Sequence, residues 1–199
     1  VSKYNTMSDK EKNYDVVIVG GGVVGCSTAY QLTELNSELK ILILEREKEI
    51  ASHASGKAGG FMVRDWCDGQ QTSELQQKSF EQFESLAKKF EKDGFSIDYR
   101  NNLNTLQVQL RENNVSKKND SVPAWLDSSF VSSSTSIAKP CNAAQVHPKK
   151  LCQAFIHFSK CQVKCLSLVT NVEEQAHNGS PVKVSFHHTD DEEEEKCVV

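Results

Sequence analysis

The feature that most constrains this chain is a set of three glycines at fixed spacing, directly after a short apolar run. The run at 15–19, Asp-Val-Val-Ile-Val, predicts a strand buried on both faces, as in a parallel sheet. Gly20, Gly22 and Gly25 follow it, and residues 23–35 have the pattern of a helix. In such a motif the first glycine permits the tight turn, the second lets a phosphate approach the backbone, and the third allows close helix–strand packing. The pattern predicts a phosphate-binding turn at the start of a helix.

A second apolar run, at 41–44, predicts the next strand, and Glu45 ends it 20 residues beyond Gly25. A strand–helix–strand unit with an acid at this place is typical of dinucleotide binding. The Glu45 carboxylate can accept hydrogen bonds from the ribose hydroxyls of an adenosine, and its charge would repel a 2′-phosphate. NADP is therefore disfavoured. A glycine turn in an α/β protein of another kind is the alternative interpretation.

The small residues at 51–60 favour FAD over NAD. FAD carries a ribityl chain and a flavin beyond its adenosine, so it needs a second stretch of close backbone approach. Such a stretch follows soon after Glu45, with small side chains and free amides at Ser55, Gly56, Ala58, Gly59 and Gly60. An ordinary loop is the alternative for this segment. An NAD-linked dehydrogenase is a competing function that the loop disfavours.

Further elements can be predicted along the rest of the chain. Ser73 and Gln76 fit a capping box for a helix that begins near Thr72, and Gly94 is its expected end. His147-Pro148 opens another helix, because the first helical position tolerates the missing proline amide. Strands are expected at 106–110, 163–172 and 182–186, the last two joined across Asn178-Gly179, and another begins at Cys197.

The expected fold class is α/β, with a Rossmann-like FAD/NAD(P)-binding domain.

Charge and hydropathy exclude several other classes of protein. The formal net charge is −4, and six acids lie in one run at 190–195, which is expected to be a solvated loop. Because no block of Lys or Arg occurs, a nucleic-acid partner is not expected. No apolar run approaches the ~18 residues of a membrane span. With no signal peptide, a cytoplasmic location is expected, and endosomal or peroxisomal association stays open.

The seven cysteines, an odd number without a CxxC pair, are typical of reduced thiols in a cytosol-like compartment. His157, Cys161 and Cys165 are spaced by four residues, but the segment between the two cysteines has the pattern of a turn entering a strand, so no metal is expected. Cys26 lies at a helix start, a position that would lower its pKa, although the need for a small packing residue explains it more easily.

Several segments resemble a known family. Residues 15–25, then Leu44-Glu45-Arg46, then Ala-Ser-Gly-Lys-Ala-Gly-Gly at 54–60 resemble the FAD-dependent oxidoreductases of the D-amino-acid oxidase/glycine oxidase (DAO) type. The segments at 144–148 and 168–173 are similar to later stretches of that family. The resemblance runs from about residue 14 to the end, and it is strongest to a eukaryotic branch whose substrates are poorly defined.

The fold that the resemblance implies is a Rossmann-like FAD/NAD(P)-binding domain with the beginning of a mixed-sheet substrate domain, incomplete at the C-terminus. The expected divisions are a disordered segment at 1–13, the first part of the FAD-binding domain at 14–96, the start of the substrate-domain sheet with a linker at 97–143, and a truncated second part of the FAD-binding domain at 144–199.

The resemblance implies FAD as the cofactor, and it assigns the binding residues by position. The turn would hold the pyrophosphate with Gly20, Gly21, Gly22, Val23, Val24 and Gly25. Glu45 and the backbone of Arg46 would hold the adenosine ribose. Ser55, Gly56, Lys57, Ala58 and Gly59 would lie beside the phosphate, ribityl and flavin. Val169 would touch adenine through its backbone.

The activity implied by the resemblance is oxidation of a small-molecule amine or amino-acid-like substrate by hydride transfer to flavin. The flavin carries the chemistry, so no catalytic residue is assigned within 1–199. In the family, the strand matching 197–199 continues into a turn that returns to the cofactor, so this chain is expected to be an N-terminal fragment, inactive by itself. A non-catalytic dinucleotide-binding or trafficking-associated protein that retains the fold is the alternative. The residues indicate no oligomeric state.

Overall fold

The computed structural model describes residues 12–111, 122–173, 182–190 and 194–199. The chain divides into two compact units: Val1–Ala58 with Pro148–Val199, and Gly59–His147. The first unit is therefore built from two separate stretches of sequence, with the second unit inserted between them. This division rests on compactness, and the functional domains expected from the sequence stay predictions.

A three-stranded parallel sheet forms the centre of the first unit. Strands β2 (Val16–Val19), β3 (Ile41–Leu44) and β8 (Gln162–Lys164) pair in the order β2-β3-β8. Ile41 and Ile43 of β3 pack with Ala29 of helix α1 (Val23–Leu35), and the alternating residues Leu42 and Leu44 join a separate apolar cluster. The prediction of a strand buried on both faces is confirmed for β3.

For the strand before the glycines the same prediction is confirmed in part. Val16 and Ile18 of β2 pack against one apolar cluster and Val17 against the other, and β2 pairs in parallel with β3. Strand β2 lies at the edge of the parallel sheet, and its residues are only half-buried. Val19 is 61% exposed where the strand enters the turn. Continuous β-branched residues indicate a strand, but they do not distinguish an edge from a centre.

An antiparallel sheet completes the first unit. Its strands are β1 (Lys12–Asn13), β9 (Ser167–Glu173), β10 (Lys183–His188) and β11 (Glu194–Val198), in the order β1-β11-β10-β9. Lys12–Asn13 thus form a strand rather than part of the expected disordered segment, while 1–11 lie outside the described residues. The Asn178-Gly179 turn and residues 191–193 of the acidic run also lie outside them.

Two sequence interpretations of this region need correction. Glu194 and Glu195, expected in a solvated loop, belong to β11, and the Glu195 carboxylate pairs with the Lys164 ammonium. The strand expected at 163–172 is divided into β8 and β9, because Leu166 adopts a left-handed backbone conformation with φ of 53°.

Helices α1 and α4 (Pro148–Phe158) pack against each other in the first unit. The rings of Tyr30 and Phe155 lie 5.4 Å apart between centroids, and both side chains are buried. The helix expected to open at Pro148 is confirmed. A further short helix, α2 (Ala54–Lys57), occupies part of the expected loop at 51–60.

The second unit contains two antiparallel strand pairs and one long helix. Strand β4 (Phe61–Val63) pairs with β7 (Ala143–Gln145), and β5 (Leu106–Leu110) pairs with β6 (Val131–Ser136). Helix α3 (Ser73–Lys92) ends before Gly94, whose φ of 84° confirms it as the stop. The predicted capping box was wrong: Ser73 is already helical, and the Gln76 side-chain amide donates to the Val63 carbonyl instead.

Candidate functional site

The glycine turn has the conformation that its three-glycine pattern predicts. Gly20 has φ of 100°, a left-handed conformation that favours glycine. A Cβ atom on Gly25 would lie 2.1 Å from the Gly20 carbonyl oxygen, so helix α1 can approach the turn only because this residue has no side chain. The predicted turn and packing roles of Gly20 and Gly25 are therefore confirmed as structural roles.

The Glu45 carboxylate lies at the carboxyl end of β3 and is tied to the turn. Its Oε2 accepts a hydrogen bond of 2.6 Å from the Gly21 amide, and its Oε1 accepts one of 3.0 Å from the Glu47 amide. A carboxylate offers about four lone-pair positions, so these two bonds leave acceptor capacity for further donors such as ribose hydroxyls. Glu45 thus shapes the turn as well as lining the site.

The first amide of helix α1 donates a hydrogen bond to the Ser55 side chain. The Val23 amide donates to the Ser55 hydroxyl oxygen over 2.9 Å, and a Cβ on Gly22 would lie 3.0 Å from that same oxygen. Because the Ser55 oxygen accepts this bond, its own hydroxyl hydrogen remains available as a donor. The start of α1 also carries the partial positive charge of a helix N-terminus, which favours an anion at this point.

A groove of about 430 Å³ in the first unit brings most of these residues together. It is lined by six residues predicted for the cofactor site, and these are Gly20, Gly22, Glu45, Arg46, Ser55 and Val169. An adjoining depression of about 320 Å³ shares Gly20, Gly22 and Ser55 with it and adds Val23, Val24 and Gly25. The turn, the end of β3 and the start of β9 thus face one continuous surface.

The other predicted site residues lie elsewhere in the described structure. Gly21 is buried, and its amide is used by Glu45. Gly56 serves packing, because a Cβ there would lie 1.9 Å from the Ala51 carbonyl oxygen. Lys57, Ala58 and Gly59 are exposed, and neither cavity's lining includes them.

Eight residues that line the groove were not among the predicted cofactor-binding residues, and they are Val19, Leu44, Ala51, Ser52, His53, Ala54, Ser167 and Leu168. Ala51 has φ of 55°, an unusual conformation for a non-glycine residue that no sequence signal indicated. The amides of Leu166 and Ser167 donate to the carbonyls of Glu47 and Glu45, so the break before β9 holds that strand beside the groove.

Cys26 is a packing residue rather than a reactive thiol. Its thiol is fully buried and donates to the Gly21 carbonyl over 3.3 Å. A hydrogen bond with the Cys152 thiol, together with burial, raises the pKa of Cys26, so the predicted lowering by the helix start was wrong. All seven cysteines are free thiols.

The described residues were also searched for a metal-binding cluster and for a membrane-spanning helix. Helix α4 ends at Phe158, before Cys161, and in the described ranges no group of three or more His, Cys, Asp or Glu is placed to hold a metal ion. No helix in the described part of the chain is long and apolar enough to cross a membrane.

The second unit has an aromatic cavity of about 390 Å³, lined by Phe61, Met62, Val63, Trp66, Gln76, Ser79, Phe80 and Phe83.

Similar proteins of known sequence share a short, well-matched segment with this chain. L-2-hydroxyglutarate dehydrogenase, mitochondrial, of Caenorhabditis elegans is 55% identical over 47 residues, which is 24% of this chain and 11% of that protein. A probable malate:quinone oxidoreductase of Prochlorococcus marinus is 49% identical over 49 residues, or 25% of this chain and 10% of that protein.

Solved structures show the same fold over most of the chain. Glycine oxidase from Bacillus cereus superposes with a TM-score of 0.67 at 24% identity, covering 86% of this chain and 51% of that one. L-α-glycerophosphate oxidase from Mycoplasma pneumoniae, solved with FAD bound, gives a TM-score of 0.56 at 20% identity and covers 87% and 49%. The chain thus spans about half the length of these enzymes.

The family model described as FAD-dependent oxidoreductase (DAO) matches residues 15–199, which include the first unit from residue 15 onward and the whole of the second unit. Together with the glycine turn and the carboxylate at the end of β3, this match shows that the chain belongs to the DAO family of FAD-dependent oxidoreductases.

Proposed function

We propose that this chain forms the FAD-binding part of an oxidoreductase that oxidises an amine or amino-acid-like substrate by hydride transfer. The observation that carries the proposal is the single groove shared by the glycine turn, Glu45 and Val169. The family is FAD-dependent, and the groove offers the features that this dinucleotide requires.

The residues that line the groove fit the adenosine and diphosphate portions of the dinucleotide. Glu45 and Arg46 lie where adenosine hydroxyls would find acceptors and donors, beside Val169. Gly22 leaves the backbone open to a diphosphate, which would meet the Ser55 hydroxyl and the start of α1. The predicted roles of Lys57, Ala58 and Gly59 beside the ribityl and flavin stay proposals.

When bound, the flavin supplies the hydride acceptor for the reaction. The contribution of this chain's own residues is then to hold and orient that group. Glu45 fixes the adenosine end, and the glycine turn and Ser55 fix the diphosphate. No residue of this chain is proposed as catalytic, so substrate contacts are assigned to the whole protein rather than to this part of it.

A 2-hydroxy acid is the second candidate substrate class. The names of two similar proteins specify L-2-hydroxyglutarate and malate, which are both 2-hydroxy acids. In an amino acid and a 2-hydroxy acid the hydride leaves an equivalent carbon, which bears nitrogen in one and oxygen in the other. Adding each class to the flavin-loaded whole protein without oxygen tests the choice, because only a substrate bleaches the flavin absorbance.

The first experiment is a visible absorbance spectrum of the chain after loading with FAD and removal of excess. Wild-type protein should retain a flavin band, and Gly22→Val should lose it, because the branched side chain would occupy the diphosphate position and meet Ser55. Gln31→Val introduces the same side chain at an exposed position of α1, so it is the control and should retain the band. Undiminished flavin in Gly22→Val contradicts the site.

The non-catalytic alternative gives a different outcome. A colourless chain whose longer form is also colourless would favour a protein that retains the fold without the cofactor.

Cytoplasmic location is likewise a proposal, and imaging of the tagged protein beside a mitochondrial marker tests it.

A further inference from the structure

The second unit holds a cavity that the proposed function does not use. It measures about 390 Å³ and is lined by residues of strand β4, of helix α3 and of the segment between them. Cavities that hold small molecules in proteins span roughly 300 to 1,000 Å³ and are mostly apolar, with a few polar groups that fix the ligand. Because the lining belongs to one unit, occupation of the cavity can be measured without FAD.

One face of helix α3 is only partly covered by the protein. Four residues at the i, i+3, i+4 and i+7 positions of this face line the cavity, and these are Gln76, Ser79, Phe80 and Phe83. The next apolar residues of the same face, Ala87 and Phe90, are buried. Phe80 and Phe83, by contrast, are half-buried. The apolar face is therefore covered at its C-terminal end and open to the cavity in its N-terminal half.

Two further aromatic rings of the lining are exposed to solvent. Phe61 is 43% exposed and Trp66 is 59% exposed, and their rings meet edge to face with centroids 6.5 Å apart. Exposed rings beside a cavity are typical of binding sites, because a ligand removes their apolar surface from water. Aromatic rings pack well on other rings in edge-to-face or offset geometry. The four rings of the lining therefore favour a planar aromatic ligand.

Ser79 is the lining residue that specifies the polar group of a ligand. Its hydroxyl donates to the Leu75 carbonyl over 2.7 Å, so its single hydrogen is used and its oxygen can only accept a bond from a ligand. The other polar residue of the lining, Gln76, is held by the bond from its Nε2 to the Val63 carbonyl. The Ser79 oxygen thus matches a ligand that carries an N–H or O–H donor.

The charges around the cavity favour a neutral ligand. Among the described residues, no charged side chain belongs to the lining. The charged neighbours in sequence are paired: Arg64 lies 3.3 Å from Asp65 and 3.2 Å from Glu81, and Lys78 lies 2.7 Å from Glu74. A charged ligand would lose its hydration in the cavity without gaining an opposite charge.

We propose that this cavity binds a neutral, planar aromatic molecule with an N–H or O–H donor, and that the Ser79 hydroxyl oxygen accepts the bond from that donor. Indole has this chemistry and serves as the probe. N-methylindole, which has the same rings without the donor, is the matched comparison.

The test is the fluorine NMR spectrum of the chain labelled with fluorotryptophan, recorded as each probe is added. The signal of Trp66, which lines the cavity, should shift with indole. The signal of Trp125, which is exposed and outside the lining, should stay in place and act as the internal control. Trp66→Phe assigns the two signals, because it removes one of them.

Variants of Ser79 test the hydrogen bond and the cavity separately. Wild-type protein should bind indole about three- to tenfold more tightly than N-methylindole, the size expected for one hydrogen bond. Ser79→Ala should lose this preference and keep its affinity for N-methylindole. Ser79→Leu should bind neither probe, because the larger side chain would fill part of the cavity. Ser85→Ala and Ser85→Leu change an exposed serine of the same helix outside the lining, and both should behave as wild type.

Four other results would overturn the proposal. If neither probe shifts the Trp66 signal, the cavity holds no ligand of this class. Equal affinity for the two probes, or a preference that survives in Ser79→Ala, would show that Ser79 accepts no bond from the ligand. Indoleacetate, which adds a carboxylate, should bind at least about tenfold more weakly than indole, and equal binding would contradict a neutral ligand. A Trp66 signal that shifts with protein concentration, together with dimers in sedimentation, would assign the exposed rings to a contact between two copies of the chain.

Discussion

Glu45 combines two tasks in one side chain, because both carboxylate oxygens hold backbone amides while the same group faces the groove. Glu45→Ala should therefore weaken nucleotide binding by up to a few kcal/mol, the size of charged hydrogen bonds. Comparison of ADP with 2′-deoxy-ADP isolates the ribose contact. Wild-type protein should prefer ADP, and Glu45→Ala should bind both equally.

The exposed carboxylate of Glu38 provides the control for that comparison. Glu38→Ala removes the same charge from the loop between α1 and β3 and should keep the preference for ADP. If Glu45→Ala also keeps it, Glu45 serves only the turn and not the ribose.

At the residue scale, the roles of the glycines were predictable because atoms close by in the sequence leave no room for a side chain. Gly25 must lack a side chain wherever a helix packs this closely on a strand, and the spacing alone indicates that. His53 and Ala51 were not predictable, because their place in the groove depends on how residues 45–53 fold back toward the turn. The Ala51 amide donates a hydrogen bond of 2.9 Å to the Gly21 carbonyl, and no sequence pattern predicts this contact.

At the scale of elements, the packing of α1 on α4 holds the two sequence stretches of the first unit together. Phe155 is buried against Tyr30, so Phe155→Ala should lower the free energy of unfolding by about 3 to 5 kcal/mol. Gln153→Ala, at an exposed position of the same helix, should change it by about 0.5 kcal/mol or less. Chemical denaturation measures both, and equal small effects would contradict the packing role.

Elements with one clear sequence pattern were predicted well. Elements whose ends depend on hydrogen bonds to residues far away in the sequence were not. Strand β3 is apolar at every position and is buried at every position. The capping box failed because the Val63 carbonyl, ten positions before Ser73, takes the Gln76 amide. The break at Leu166 is set by bonds to Glu47 and Glu45, far away in sequence.

At the scale of the whole molecule, both tryptophans, Trp66 and Trp125, belong to the unit at 59–147. The proposed cofactor groove belongs to the other unit. Tryptophan fluorescence therefore reports on one unit and flavin release on the other. At a free FAD concentration of about 100 times Kd, mass action should stabilise the binding unit by about 2.7 kcal/mol.

We expect FAD to raise the urea midpoint of flavin release and to leave the tryptophan midpoint unchanged. Each unit has buried apolar residues of its own, which favours separate unfolding. A tryptophan midpoint that rises together with that of flavin release would show that the two units unfold as one cooperative body.

The burial of Cys26 under the turn also gives the protein an internal chemical reporter. Its thiol is shielded from solvent and bonded to the Gly21 carbonyl, so an alkylating reagent can reach it only when the turn opens. Cys141, which is exposed, should react at once and mark the start of the reaction. The delay between the two, read by peptide mass, measures how often the nucleotide turn opens, and bound FAD should lengthen it.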